Sequence, residues 1–290
     1  MHCWPERPPL GPQLYEKLRE RPNSIIQRFP ALIRRSFEKR FEEGMVDLYE
    51  HSTSEAFAFV REMCIYFSWF ETRPGNVYID LIQFLIAQDR PFALATTNYD
   101  LLLEHAILSM GYKCDYRPLA IWKNCVHVLK IHGSCNFVPD MRGIIFDECY
   151  FDQGGKLVDM SLIEGLPISG VDPYEVRRFC TEQNSIAPSI ALYTPGKQVK
   201  FFAKPVRAQL RRWQEMAVKT DANYVIGLRV EKTDSHIWDY LAKSTGKFVY
   251  VGVKKDFDDW TGDLQKQDAF YLGSEFDKTL QAIKDHLNEG

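Results

Sequence analysis

Apolar residues recur at helical spacing through the first part of the chain. Between residues 30 and 70 they fall at Leu32, Ile33, Phe37, Phe41, Met45, Val46 and Leu48, then at Phe57, Phe59, Val60, Met63, Ile65 and Tyr66. A helix returns a side chain to the same face every ~3.6 residues, so this pattern predicts amphipathic helices. Ser52-Thr53-Ser54-Glu55 separates the two runs and offers an N-cap hydroxyl. The expectation is a helical hairpin or subdomain over residues 24–72, with packing as its role. Ahead of it, residues 1–13 are rich in proline, Leu14–Arg19 reads as a short helix, and Arg21-Pro22-Asn23 breaks it.

The pattern then changes to helices alternating with short apolar runs. Gly75-Asn76 starts a helix through Leu81, Ile82, Phe84 and Leu85, and Gln88-Asp89-Arg90-Pro91 stops it. Phe92–Thr97 predicts a strand and Asn98–Met110 a helix, closed by Gly111 in the left-handed conformation. Val126–Ile131 is the next strand. Residues 140–185 carry Gly154-Gly155, Gly165, Pro167, Gly170 and Pro173, which mark irregular connections with short edge strands. Ser189–Tyr193 predicts another strand, followed by a loop at Thr194-Pro195-Gly196-Lys197. Val206–Val218 is an amphipathic helix, Tyr224–Leu228 a strand, and Asp234–Lys243 a helix ending at Gly246. Lys247–Val253 is a further strand, and Ser274–Leu287 the final helix. Such alternation predicts an α/β fold, a Rossmann-like parallel sheet flanked by helices, with the helical insertion, in one domain over residues 1–290.

Composition narrows the function classes. The net charge is −3, from 36 basic and 39 acidic residues, which gives no electrostatic case for nucleic acid or an anionic membrane as partner. The seven cysteines form no Cys-x-x-Cys pair, so no structural zinc site is expected. The N-terminus has no apolar signal-peptide core, and no apolar run reaches the ~18 residues that a membrane span needs. The expectation is a soluble cytoplasmic protein with reduced thiols.

The candidate chemistry sits where apolar strands end in polar residues. Ala95-Thr96-Thr97-Asn98-Tyr99-Asp100 and Leu129-Lys130-Ile131-His132-Gly133-Ser134 both have this form. Parallel strands deliver functional groups at their carboxyl ends, so Asn98, Asp100 and His132 should share one edge. Asn98 can donate and accept hydrogen bonds, Asp100 can accept several, and His132 is suited to act as a base. Helix capping by Asn98 or Asp100, and a structural role for His132, explain the same residues equally simply. A third junction, Ile226-Gly227-Leu228-Arg229 with Thr233-Asp234-Ser235-His236 after it, suits either a ribose or phosphate cradle or plain packing.

Taken in order, Thr96-Thr97-Asn98-Tyr99-Asp100-x-Leu102-Leu103-Glu104, Lys130-Ile131-His132-Gly133-Ser134, and Ile226-Gly227 followed by Asp234 resemble the SIR2-like family. More narrowly, over residues 80–255 they are similar to its bacterial NAD-consuming, anti-phage-defence branch, as is Tyr193-x-x-Gly196-Lys197. The resemblance implies hydrolysis of NAD, as substrate, to nicotinamide and ADP-ribose, with no metal. It implies that Asn98 positions the nicotinamide ribose or the attacking water, that Asp100 holds the carboxamide, and that His132 is the base. Thr97, Gly133 and Ser134 would line the same pocket, and Gly227 would lie beside the adenosine ribose; Arg229, which departs from the family's serine, could instead meet a phosphate. It further implies a homo-oligomer, and a possible partner protein in a defence system. An NAD or ADP-ribose sensor without turnover, or ADP-ribosyl transfer, remains open beside hydrolysis.

The chain departs from the family in three places. No Gly-Ala-Gly-x-Ser loop is present, since Gly11 is the only glycine before Gly44, so the expectation is a chain that begins after that loop. Arg229 stands where the family has serine, and Gly252 where deacylating sirtuins have asparagine. The zinc-binding cysteine pairs of the deacylases are missing, so protein deacylation is not expected.

Overall fold

The computed structural model describes residues 3–4, 7–9, 11–116, 124–140, 168–182, 186–191 and 204–289. Strand β1 (Cys3–Trp4) leads into α1 (Gly11–Arg19), a 3-10 turn (Ile25–Arg28) and helices α2 (Ala31–Lys39), α3 (Phe41–His51) and α4 (Thr53–Phe67). The first apolar run is thus two helices, because Arg40 takes an extended conformation between them. Gly44 lets α3 close onto α2: a Cβ there would lie 2.3 Å from the Phe37 ring. As the sequence suggests, Ser52 caps α4, its Oγ accepting from the Glu55 N–H at 3.3 Å. Strand β2 (Glu71–Thr72) then pairs antiparallel with β1.

Aromatic packing binds these helices together. The Phe37 ring stacks on Tyr15 at 4.9 Å and meets Phe59 edge-on at 5.2 Å. Each such side chain contributes about 1.5–3 kcal/mol on full burial. The same core continues into Leu101, Leu102, Cys135, Val176 and Ile190, so residues 24–72 share their interior with the segments that follow the strands. Buried Arg61 reinforces the join by donating to the Ile186 carbonyl at 2.9 Å.

Two three-stranded parallel sheets follow. Helix α5 (Val77–Ala87) is capped by Asn76, whose Oδ1 accepts from the Tyr78 N–H at 2.9 Å. Strand β3 (Leu94–Thr96) leads to α6 (Leu102–Ser109), β4 (Lys113–Asp115) and β5 (Cys125–Lys130), and the sheet order is β3-β5-β4. Gly111 closes α6 at φ +80°, the left-handed cap expected of it. Short strands β6 (Phe137–Pro139) and β7 (Ile168–Gly170) form an antiparallel pair, followed by α7 (Pro173–Glu182) and α8 (Lys204–Lys219). The second sheet uses β8 (Ala222–Ile226), β9 (Lys247–Val251) and β10 (Ala269–Gly273) in that order, with α9 (Ser235–Lys243), α10 (Lys254–Leu264) and α11 (Phe276–Glu289) around it.

Helices on both faces reach across the two sheets. On one face, α5 sets Ile82 into the core with Val126 and Val128 of β5, and sets Leu81 against Val251 of β9 and Ile283 of α11. On the other, Leu129 and Ile131 share a core with Ala217 of α8, Trp238 of α9 and Phe248 and Tyr250 of β9. Each sheet is therefore a small parallel α/β unit flanked by helices that pack against both.

Some expected elements shift. The helix expected from Asn98 begins at Leu102, and of the strand expected at Ser189–Tyr193 the described residues, 189–191, include an antiparallel bridge between Ile190 and Gly133. Helix α10 is not among the expected elements; Phe257 and Trp260 pack its inner face on the core, and ion pairs Lys254–Asp258 and Lys255–Asp259 line its surface. Gly154-Gly155, Gly165, Pro167, Tyr193 and Thr194–Lys197 lie outside the described residues. Among the described residues, no helix is long and apolar enough to cross a membrane.

Candidate functional site

Strands β3 and β5 run side by side with Thr96 opposite Lys130, and the Ile131 N–H donates to the Thr96 carbonyl at 3.2 Å. Both strands end at the same edge, which brings the Asn98 and His132 segments out together. Asn98 is exposed, and its backbone N–H donates to Thr96 Oγ1 at 3.0 Å. Thr97 beside it is partly buried. Asp100 holds the start of α6: its Oδ1 accepts from the Leu102 N–H at 3.0 Å. Burial pushes the Asp100 carboxyl above its ordinary range, and the nearby Lys130 ammonium works against that rise.

His132 is buried, and its Nε2 lies 2.8 Å from the Nε2 of His236. Gly133 takes φ +79°, and a Cβ on it would lie 2.2 Å from the Ser189 carbonyl oxygen. Glycine is required there on both counts. Ser134 is fully buried; its N–H donates to the Ser189 carbonyl at 3.1 Å and its Oγ to the Tyr99 carbonyl at 3.5 Å. Gly133 and Ser134 thus hold the 186–191 segment against the end of β5.

The end of β8 completes the edge. Gly227 takes φ +73° with open space around the position of a Cβ, so its backbone conformation, not crowding, calls for glycine. Its N–H donates to the Val251 carbonyl at 2.8 Å. The exposed Arg229 guanidinium grips Asp256 with two bonds, Nε to Oδ2 at 2.5 Å and Nη2 to Oδ1 at 3.1 Å. That pairing pulls the Asp256 carboxyl below its usual range. Gly252, after β9, lies against its neighbour Tyr250, whose ring a Cβ would meet at 2.7 Å.

Asp234 and His236 stand at the start of α9, and sequence reasoning quoted them without giving them a role. Together with His132 they offer three ligand atoms, one each, all within 4.8 Å of one another. Burial, then the facing His236 ring, lowers His132 to about 3. Burial also lowers His236 to about 4, partly opposed by a hydrogen bond to the Thr233 backbone. Burial, then the carboxylates of Glu231 and Glu42, raises Asp234 to about 6.

Tautomers follow from these contacts. The Thr233 bond favours a protonated His236 ring, so the backbone partner is a carbonyl that accepts from a ring N–H. Nε2 of His236 faces His132, which leaves Nδ1 to make that donation. The two Nε2 atoms share one hydrogen bond, one ring donating and the other accepting. The Gln214 amide fixes the same turn, donating to the His236 carbonyl at 3.0 Å.

Two cavities lie away from this edge. One of about 240 Å³ is lined by Arg21, Arg61 and Glu62, and one of about 200 Å³ by Glu104, Tyr116 and Asn136. No family model matches the chain, and no curated protein matches it.

Proposed function

We propose that the chain binds NAD at the edge shared by Asn98, His132 and Gly227 and hydrolyses it to nicotinamide and ADP-ribose. The observation that carries this reading is the 2.8 Å contact between His132 and His236. It joins the segment after β5 to the start of α9, and so links the carboxyl ends of strands from two parallel sheets. Open α/β sheets take nucleotides at such strand ends. The finer reading of the fold belongs with it: the two sheets are halves of one Rossmann-like layer of the SIR2-like type.

The chemistry asks little of the protein. Nicotinamide leaves as a neutral molecule from a cationic glycosidic bond, so no strong acid is needed. What matters is orientation of a nucleophile and stabilisation of an oxocarbenium-like state. In this reading the exposed Asn98 amide orients the ribose or the water. Asp100 accepts from the carboxamide through the carboxylate oxygen that does not bond Leu102, and Thr97 lines the pocket beside it. Gly133 and Ser134 hold the wall behind His132. Gly227 gives the adenosine ribose room, and Arg229 exchanges Asp256 for a phosphate. No metal is required for this step. A cytoplasmic bacterial defence effector that assembles as a homo-oligomer, alone or with a partner protein, fits the same reading.

A second reading has its own observation. With His132 lowered to about 3, its imidazole is a weak base at neutral pH. That favours a sensor or scaffold that binds NAD or ADP-ribose without turnover. The full chain incubated with NAD separates the two. Nicotinamide release that is lost in Asn98→Ala and His132→Ala supports hydrolysis. Calorimetric binding of NAD or ADP-ribose without release supports the sensor, and neither release nor binding overturns both.

A further inference from the structure

We propose that His132, Asp234 and His236 form a binding site for a divalent transition-metal ion of the zinc type. The proposal goes beyond the NAD reading and does not depend on it.

The geometry comes first. Three ligand atoms from three side chains lie within 4.8 Å of one another, and two of them, the imidazole Nε2 atoms, face each other at 2.8 Å. Tetrahedral ligands ~2.05 Å from a zinc ion are about 3.3 Å apart. The imidazoles therefore need to part by about half an ångström, and the Asp234 carboxylate to turn inward, for all three to reach one ion. His132 comes from the end of β5, and Asp234 and His236 from the start of α9. Ligands from two elements cover one side of a tetrahedron and leave a position for water or a further ligand.

The surroundings suit a cation. A metal ion can take a lone pair from each imidazole Nε2, the two atoms that now face each other at 2.8 Å. The ring bond from His236 to the Thr233 backbone is the outer contact that fixes the tautomer and aims Nε2 at the site. Gln214 holds the His236 carbonyl from α8. Two imidazoles and one carboxylate select zinc, cobalt or nickel over magnesium or calcium, which prefer all-oxygen sets. Cysteine spacing suggested no metal because this site uses no thiolate.

The test uses the full chain, stripped with a chelator and titrated with Co²⁺ and Zn²⁺. We expect one ion per chain, visible Co²⁺ absorption bands typical of four or five ligands, and displacement of Co²⁺ by Zn²⁺. His236→Ala and His132→Ala should each weaken Zn²⁺ binding at least tenfold by calorimetry, whereas His51→Ala, on α3, should bind as the parent does. Circular dichroism checks that each variant folds. Where an alanine variant does not, Asp234→Asn keeps the side-chain volume and should show the same loss. X-ray absorption of the zinc-loaded parent should show nitrogen and oxygen neighbours only. No saturable binding, equal affinity in parent and Asp234→Asn, or a sulfur shell from the cysteines would each overturn the proposal. Neither NAD nor its turnover enters the measurement, so this result and the NAD result stand or fall separately.

Discussion

Lys130 Nζ lies 3.1 Å from Glu104 Oε1, with both side chains withdrawn from solvent, and donates to the Asp100 carbonyl at 2.6 Å. One ammonium therefore ties the segment that carries Asn98 to the strand that delivers His132. Glu104 also accepts from Tyr116 Oη at 3.2 Å, and Asn136 donates to Tyr116 Oη at 3.0 Å. The network spans β5, α6, the end of β4 and the loop after His132. Breaking one side of a buried pair leaves the other charge uncompensated. Lys130→Met should cost about 3–5 kcal/mol in urea denaturation, and adding Glu104→Gln should recover part of it. A single variant within 1 kcal/mol of the parent would show that the pair is not buried as described.

Gly133 should tolerate no side chain. A Cβ there meets backbone, which cannot step aside as a flexible side chain does, and the φ of +79° adds strain. Gly133→Ala should destabilise by more than ~2 kcal/mol, combining left-handed strain with displacement of the 186–191 segment. Gly227→Ala has the strain without the clash, so about 1–2 kcal/mol is expected. Thermal melts of the two variants side by side check the ordering, and equal losses would contradict it.

Acid should weaken chelator-treated protein earlier than its carboxylates alone would. The folded values of His132 and His236 are lowered, to about 3 and about 4, from an ordinary value near 6.5. Above ~6.5 both rings are neutral folded and unfolded, and contribute no pH dependence. As pH falls below that, the unfolded chain takes up protons that the folded protein refuses, so stability falls down to about the folded values. The slope from His132 is on the order of 1 kcal/mol per pH unit, and His236, partly exposed, adds less. Denaturation midpoints between pH 7 and pH 4 in the parent and in His132→Gln measure this; identical slopes would remove the buried pair as its cause.

Asn98 and Arg229 should separate function from stability. Asn98 is exposed at the edge, so Asn98→Ala should leave the melting temperature within about 2 °C while nicotinamide release falls at least about a hundredfold. Arg229 is exposed and paired with Asp256. If it exchanges that partner for a phosphate, Arg229→Ala raises KM for NAD severalfold with kcat nearly unchanged. A fall in kcat alone would place Arg229 outside substrate binding.

Local determinants were readable along the chain. Ser52 and Asn76 cap the helices their positions announce, Gly111 closes α6, and the apolar runs at Val126–Ile131 and Lys247–Val253 become β5 and β9. Each depends on a few neighbouring residues, so periodicity and capping chemistry suffice. The polar strand ends at Asn98 and His132 were also visible as changes of residue type, but only the structure shows that Asn98 emerges to solvent while His132 and Ser134 stay buried. Helix α10 was not visible, since its short apolar stripe of Phe257 and Trp260 is set among charged residues and shows its role only where it meets Phe248 and Trp238.

What one residue does for a distant one was decided only by the tertiary structure. Asp100 could have been a ligand or a cap from its position alone, and the Leu102 contact shows it serving the helix start. Lys130 sits in an apolar strand with no partner in view until α6 brings Glu104, 26 residues away, against it. His236 lies 104 residues from His132, and nothing in either local segment refers to the other. Sequence alone determined where strands end and polar chemistry begins, because those choices rest on nearby hydration and backbone geometry. The pairing of His132 with His236 depended on tertiary packing, in which α5 and α8 set their apolar side chains against strands of both sheets.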